Sequence, residues 1–163
     1  MNFIVIGMLS LLFSSATLAH QHHDKSTDDV YYQISDVNVK PSIPGVNNTT
    51  AHFSFTNKSD KPIRLIGAKS KAAKVVEIHE HVMIDGLMKM QKVNNITIPA
   101  NGEIVFKPGG YHIMFIGLYE EIKEGDNVEF FLILDDGKKI SATAIATTDS
   151  QDSHKKMHHH HQH

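Results

Sequence analysis

The stretch Lys74-Val-Val-Glu-Ile-His-Glu-His-Val-Met-Ile-Asp-Gly-Leu-Met-Lys-Met90 decides how this chain folds. Lys74 to Met83 alternates apolar and polar residues, the period of two that a half-buried strand requires. Asp85-Gly86 follows as a two-residue hairpin signal, because tight primed turns need positive φ and Gly adopts it without steric penalty. Leu87 to Met90 then reads as the returning strand. His79, His81 and Met83 are spaced by two and project from one face of the first strand. Met88 and Met90 share a face of the second and fall beside them.

Outward from this hairpin the pattern stays β. Tyr32 to Val39, Ala51 to Phe55 and Ile63 to Ile66 alternate in the same way, each bounded by Pro, Gly, Asn or Asp. Pro99-Ala-Asn-Gly102 and Pro108-Gly-Gly110 read as turns, and Val128 to Leu134 with Lys139 to Ala146 flank Asp135-Asp-Gly137 as a last hairpin. No amphipathic helix of ordinary length is visible. About eight short strands at close spacing predict an all-β fold, a sandwich or Greek-key barrel.

The ends have a different composition. Residues 1–19 read as a secretory signal: Phe3 to Phe13 is almost wholly apolar, and small residues lead to Ala19 as the expected last residue before cleavage. That run is about half the roughly 20 residues needed to span a bilayer. No Cys follows it, so lipid attachment there is not expected. Residues 20–29 form a His-rich segment, 30–147 the folded domain, and 148–163 an expected disordered tail with almost nothing apolar to bury. The expected compartment is the periplasm.

Composition narrows the function. A net charge of −2 gives no general reason to expect nucleic acid or an anionic membrane as partner. The absence of Cys removes a disulfide framework, a thiolate metal site and a cysteine nucleophile. There are thirteen His, and only His52, His79, His81 and His112 lie away from the ends. His112 and Met114 form a further i, i+2 pair after the Pro108-Gly-Gly110 turn, so one face of a few strands can gather imidazoles and thioethers.

Such donors select a metal. Thioether sulfur is soft and favours Cu(I), whereas Mg, Ca and Mn prefer oxygen. Two His and two Met carry no negative charge, leaving Cu(I) a modest +1 and Zn(II) a poorly compensated +2. A blue-copper centre would need a thiolate. Singly, Met83 and Met88 read as core filler, and His52, with no matched partner, reads as structural or exposed. Glu77, Glu80 and Asp85 are candidates for orienting a ligating imidazole, or simply lie on a solvated face.

At these residues the sequence resembles the PCuAC family of periplasmic copper chaperones, whose motif is a His, ten residues, a Met, twenty-one residues, then His-x-Met. His79, Met90, His112 and Met114 match that spacing. The surrounding Val76-Glu-Ile-His-Glu-His81, Asp85-Gly-Leu-Met-Lys-Met90 and Lys107-Pro-Gly-Gly-Tyr-His-Ile-Met114 are also similar to the family, and the likeness runs from Val30 to Thr147. It implies a cupredoxin-like Greek-key barrel holding Cu(I) near its surface on His79, Met90, His112 and Met114. It also implies delivery of that ion to exported or membrane proteins, notably the copper centre of cytochrome oxidase or an assembly factor. Many relatives place Met where His81 stands, so His81, with Met83 and Met88, is an accessory candidate.

The ends offer Cu(II) sites. Cleavage after Ala19 would start the chain His20-Gln21-His22, and a free amine, two amides and the third-residue imidazole make a square-planar nitrogen set suited to Cu(II) or Ni(II). In the tail, His154, His158, His159, His160, His161 and His163 would take Cu(II), Zn(II) or Ni(II) with little selectivity. Periplasmic sequestration of copper, zinc or nickel is the alternative function. A copper oxidase, or a hydrolase with His79 or His112 as base, is the third. The sequence has no Ser nucleophile elbow and no phosphate loop, so no enzyme and no small-molecule substrate are expected, and the protein is expected to be a monomer.

Overall fold

The computed structural model describes residues 31–148. The signal segment, His20 to His23 and the His-rich tail lie outside them. Every named element is a strand: β1 (Tyr32–Val39), β2 (Asn48–Asn57), β3 (Ile63–Ser70), β4 (Ala73–Ile84), β5 (Leu87–Lys92), β6 (Ile96–Ile98), β7 (Glu103–Phe106), β8 (His112–Leu118), β9 (Asn127–Leu134) and β10 (Lys139–Ala146). The expected all-β class is therefore found. The short β6 and β7, which no alternation announces, raise the strands to ten.

The turns follow their residues. Asp85 and Gly86 both take positive φ, 53° and 75°, closing β4 onto β5 with Met83 opposite Met88 and His81 opposite Met90. At the predicted Pro108-Gly-Gly110 turn, the Gly110 amide donates to the Lys107 carbonyl at 3.0 Å and Gly109 has φ 76°.

All strands join one sheet in the order β5-β4-β8-β2-β1-β10-β9-β3-β6, with β7 on β2. Its two ends, β5 and β6, do not pair with each other, so hydrogen bonds do not close it into a barrel. The sheet folds over instead. Phe130 on β9 lies 5.6 Å from Phe53 on β2 and 6.0 Å from Phe115 on β8, ring centre to ring centre, although β9 is adjacent to neither strand in the sheet. These rings, with Phe55, Phe106, Leu65, Ile78, Ile113, Leu132 and Leu134, are fully or almost fully buried and form the core between the two halves. On β8 the core takes Ile113 and Phe115, and the alternation of a strand turns His112 and Met114 to the opposite face.

Phe53 stacks on Phe106 at 4.3 Å. We expect Phe53→Ala to destabilise the fold by about 3–5 kcal/mol in urea denaturation, through lost burial and the cavity left behind. Met88→Ala, on a strand whose residues are all exposed, should change stability by less than about 0.5 kcal/mol. A similar loss for both would place β5 in the core and contradict this packing.

Candidate metal centre

Three adjacent strands build the centre. β4 and β8 run antiparallel with His79 directly opposite His112 and Glu77 opposite Met114. β5 lies on the far side of β4 and brings Met90 opposite His81. Residues directly opposite on an antiparallel pair share a face, with Cβ atoms about 4.5–5.5 Å apart. Glu77, His79, His81, Met83, Met88, Met90, Lys92, His112 and Met114 therefore lie on one surface, the one turned away from the core.

His112 is its centre and is almost completely buried. Its Nδ1 donates to the Gly110 carbonyl at 3.2 Å, leaving Nε2 with the lone pair, and Nε2 lies 3.2 Å from Met90 Sδ. The same Gly110 carbonyl accepts the His81 amide at 3.3 Å, so the turn before β8 fixes both the His112 ring and the β4 backbone beside it. Burial holds the His112 ring below the ordinary imidazole value; the Gly110 bond acts the other way, and His81 and His79 lower it further. A ring kept neutral keeps its lone pair for a metal.

His79 is oriented from the opposite side. Its Nε2 lies 2.9 Å from Glu77 Oε2, and Lys92 Nζ donates to the other Glu77 oxygen at 2.6 Å. These two hydrogen bonds, that of His79 first, hold the Glu77 carboxyl below its ordinary value. An ionised carboxylate only accepts, so Nε2 carries a proton, and in the neutral ring Nδ1 carries the lone pair. That Nδ1 is buried and without a hydrogen-bond partner, as is Nδ1 of His81. A buried polar atom left unpaired costs about 1–3 kcal/mol. Unpaired imidazole nitrogens beside a thioether make a donor set that an incoming ion would satisfy.

The candidates are thus placed as follows. His79, His81 and Met90 surround His112, with ring centres of His81 and His79 at 5.0 and 5.9 Å from that of His112. Met114 is half-buried on the same face, one pair along, opposite Glu77 on β4 and Thr50 on β2. Met83 and Met88 are not core filler: they are 65% and 61% exposed at the hairpin tip. His52 follows the structural one of its two expected readings. It is buried, one step further along the β2–β8 register it comes opposite His112, and their ring centres are 6.5 Å apart. Alternation along β2 gave its face, but nothing local says that β2 pairs with β8. Of the orienting candidates, Glu77 does hold a ring, while Glu80 accepts from Gln91 at 2.9 Å.

Among the described residues no group of three or more His, Asp and Glu is gathered tightly enough to hold a metal by itself. The donor next to His112 Nε2 is a sulfur. A groove of about 510 Å³ lined by Ser70, Lys71, Tyr119, Glu121 and Glu129, among others, lies near the β3–β4 connection, and its lining includes neither His nor Met.

The sequence profile of the family described as LpqE-like lipoproteins matches residues 32–146, nearly all of the described chain. Solved PCuAC domains superpose on the same part. The chain belongs to the PCuAC family. The copper-bound PCuAC domain of PmoF2 aligns at TM-score 0.59 and 21% identity over 71% of this chain and 92% of that one. Apo-DR1885 of Deinococcus radiodurans aligns at TM-score 0.58 and 25% identity over 91% and 97%, and its Cu(I) form at 0.55 and 32% over 71% and 77%. The fold is accordingly cupredoxin-like. A protein of Leifsonia xyli subsp. xyli that is named as a lipoprotein is 32% identical over 126 residues, 77% of this chain and 73% of that relative. An uncharacterised Rickettsia prowazekii protein is 30% identical over 103 residues, 62% of this chain and 57% of its own length.

Glu77→Gln keeps the shape of the side chain but removes the charge that fixes the His79 proton. If the arrangement orients a ligand, metal affinity in a competition titration should fall by about 10- to 100-fold with the folded state intact. Unchanged affinity would reduce Glu77 to a surface partner of Lys92.

Proposed function

We propose that this PCuAC protein is a copper chaperone of an exported compartment, which carries Cu(I) as cargo on His79, Met90, His112 and Met114 and passes it to a recipient protein. The observation that carries this reading is the 3.2 Å approach of Met90 Sδ to Nε2 of the buried His112. A soft sulfur and a neutral imidazole nitrogen held together suit a soft monovalent ion. The copper-bound PmoF2 domain and the Cu(I) form of DR1885 support the same reading by likeness.

The geometry also suits release. The imidazole side is rigid: His112 is fixed by Gly110 and His79 by Glu77. One thioether is loose: Met90 is 47% exposed on β5, an edge strand paired with β4, whereas Met114 is half-buried on β8. An incoming donor can displace Met90 first and the nitrogens afterwards, one bond at a time. All four ligands are neutral before and after, so no proton has to move. His81, the imidazole closest to His112, is a spare nitrogen for the intermediate steps. The expected recipient is an oxidase copper domain or an assembly factor.

Export is supported by the lipoprotein description that the family and its Leifsonia relative carry. His20, His22 and the tail histidines His154, His158, His159, His160, His161 and His163 lie outside the described residues. On composition they are assigned Cu(II) capture, which raises the local copper concentration beside the domain.

In anaerobic Cu(I) titration against a competing chelator, Met90→Ala and His112→Ala should each weaken binding by at least about tenfold, or ~1.4 kcal/mol. Deleting Gln151 to His163 should lower Cu(II) stoichiometry and leave Cu(I) affinity in place. Unchanged affinity in both point variants would overturn the ligand assignment, and loss of Cu(I) affinity on deletion would overturn the division between domain and tail.

A further inference from the structure

The β4–β5 tip exposes Met83, Ile84, Leu87 and Met88, at 65%, 38%, 64% and 61%. Large apolar side chains gathered at one exposed place mark a function more often than a packing need, and the core lies elsewhere. Met83 and Met88 are direct cross-strand partners, so their Cβ atoms are about 4.5–5.5 Å apart and both flexible arms reach a common point. The next pair inward on the same face is His81 and Met90, and beyond it stand His79 and His112. Soft and imidazole donors thus run without interruption from the solvent-exposed tip to the most buried histidine. His81 adds an independent observation: its Nδ1 is buried and has no partner, and it stands diagonal to Met88 across the hairpin.

We infer that Met83 and Met88, with His81 as third donor, form a second, outer Cu(I) station through which the ion enters and leaves the inner site. Two thioethers and one imidazole make a three-donor, neutral set that accepts Cu(I) and discriminates against Cu(II) and Zn(II). Transfer inward exchanges Met83 and Met88 for Met90 and His112 while His81 remains attached, so coordination bonds are swapped and neither electrons nor protons move. The exposed position of the outer thioethers makes this station the weaker and the one a partner's donors meet first. The passage of the ion to and from the inner site rests on the proposed function above; the outer ligand set does not.

The test is anaerobic Cu(I) titration of the full chain carrying carbon-13 methyl-labelled methionine, followed by NMR to excess ion. Met90 and Met114 methyl signals should move over the first equivalent, and those of Met83 and Met88 together over later additions. In Met83→Leu the later shift of Met88 should be lost with the first phase unchanged. Met83→Leu/Met88→Leu should release Cu(I) to a chelator more slowly at unchanged inner-site affinity. Met83 and Met88 signals that stay fixed in excess ion or that move in step with Met90, or a late phase carried only by Met157, the methionine of the 148–163 tail, would each overturn the outer station. Fixed signals of Met90 and Met114 over the first equivalent would instead overturn the inner site, and the response of the outer pair remains separately readable.

Discussion

The antiparallel register of β4 on β8 is the constraint on which the centre depends. It sets His79 opposite His112 and Glu77 opposite Met114. A slip of one residue would turn every side chain of β4 to the other face, sending His79 toward the core and Ile78 toward water. The core prevents that slip. Ile78 and Ile113 are an opposed pair, each essentially fully buried, so the pairing that satisfies the hydrophobic face also fixes the face that carries the histidines. Burial of ordinary aliphatic side chains thereby sets the alignment of the imidazoles behind them.

On the other face, the rigid and the labile donors are separated. His112 is locked by a backbone carbonyl and His79 by a carboxylate that Lys92 also holds. Met90, Met88 and Met83 sit on a two-stranded projection whose outer strand is exposed throughout. A hairpin with one unpaired edge and little buried area belongs to the low-stability end of a structure and opens before the rest. On the proposed reading, firm binding and transfer make opposite demands on the ligands, and this division would place His112 and Met90 on different strands.

Much of this was legible in the sequence because it is local. Alternation marked β1 to β4, the Asp135-Asp-Gly137 turn marked the β9–β10 hairpin, and Asp85-Gly86 gave both the β4–β5 hairpin and the adjacency of Met88 and Met90 to the β4 histidines. What the sequence hid is non-local pairing. His52 faces His112 only because β2 runs beside β8, some sixty positions further on, and no periodicity encodes that neighbour. Met83 and Met88 were misjudged for a related reason: apolar residues on a strand are ordinarily buried, and only the course of the hairpin beyond the sheet leaves this end exposed. The orienting part played by Glu77 needed the coordinates, since a carboxylate two residues before a histidine is equally common on a solvated strand face.

The central claim is that sulfur and imidazole act together on one ion at His112. Copper K-edge X-ray absorption on the full chain, loaded with a single equivalent of Cu(I) without oxygen, addresses it most directly, because sulfur and nitrogen neighbours scatter differently. A mixed shell of sulfur and nitrogen that loses sulfur in Met90→Ala is expected. A shell of nitrogen alone, as the terminal histidines would provide, would contradict it.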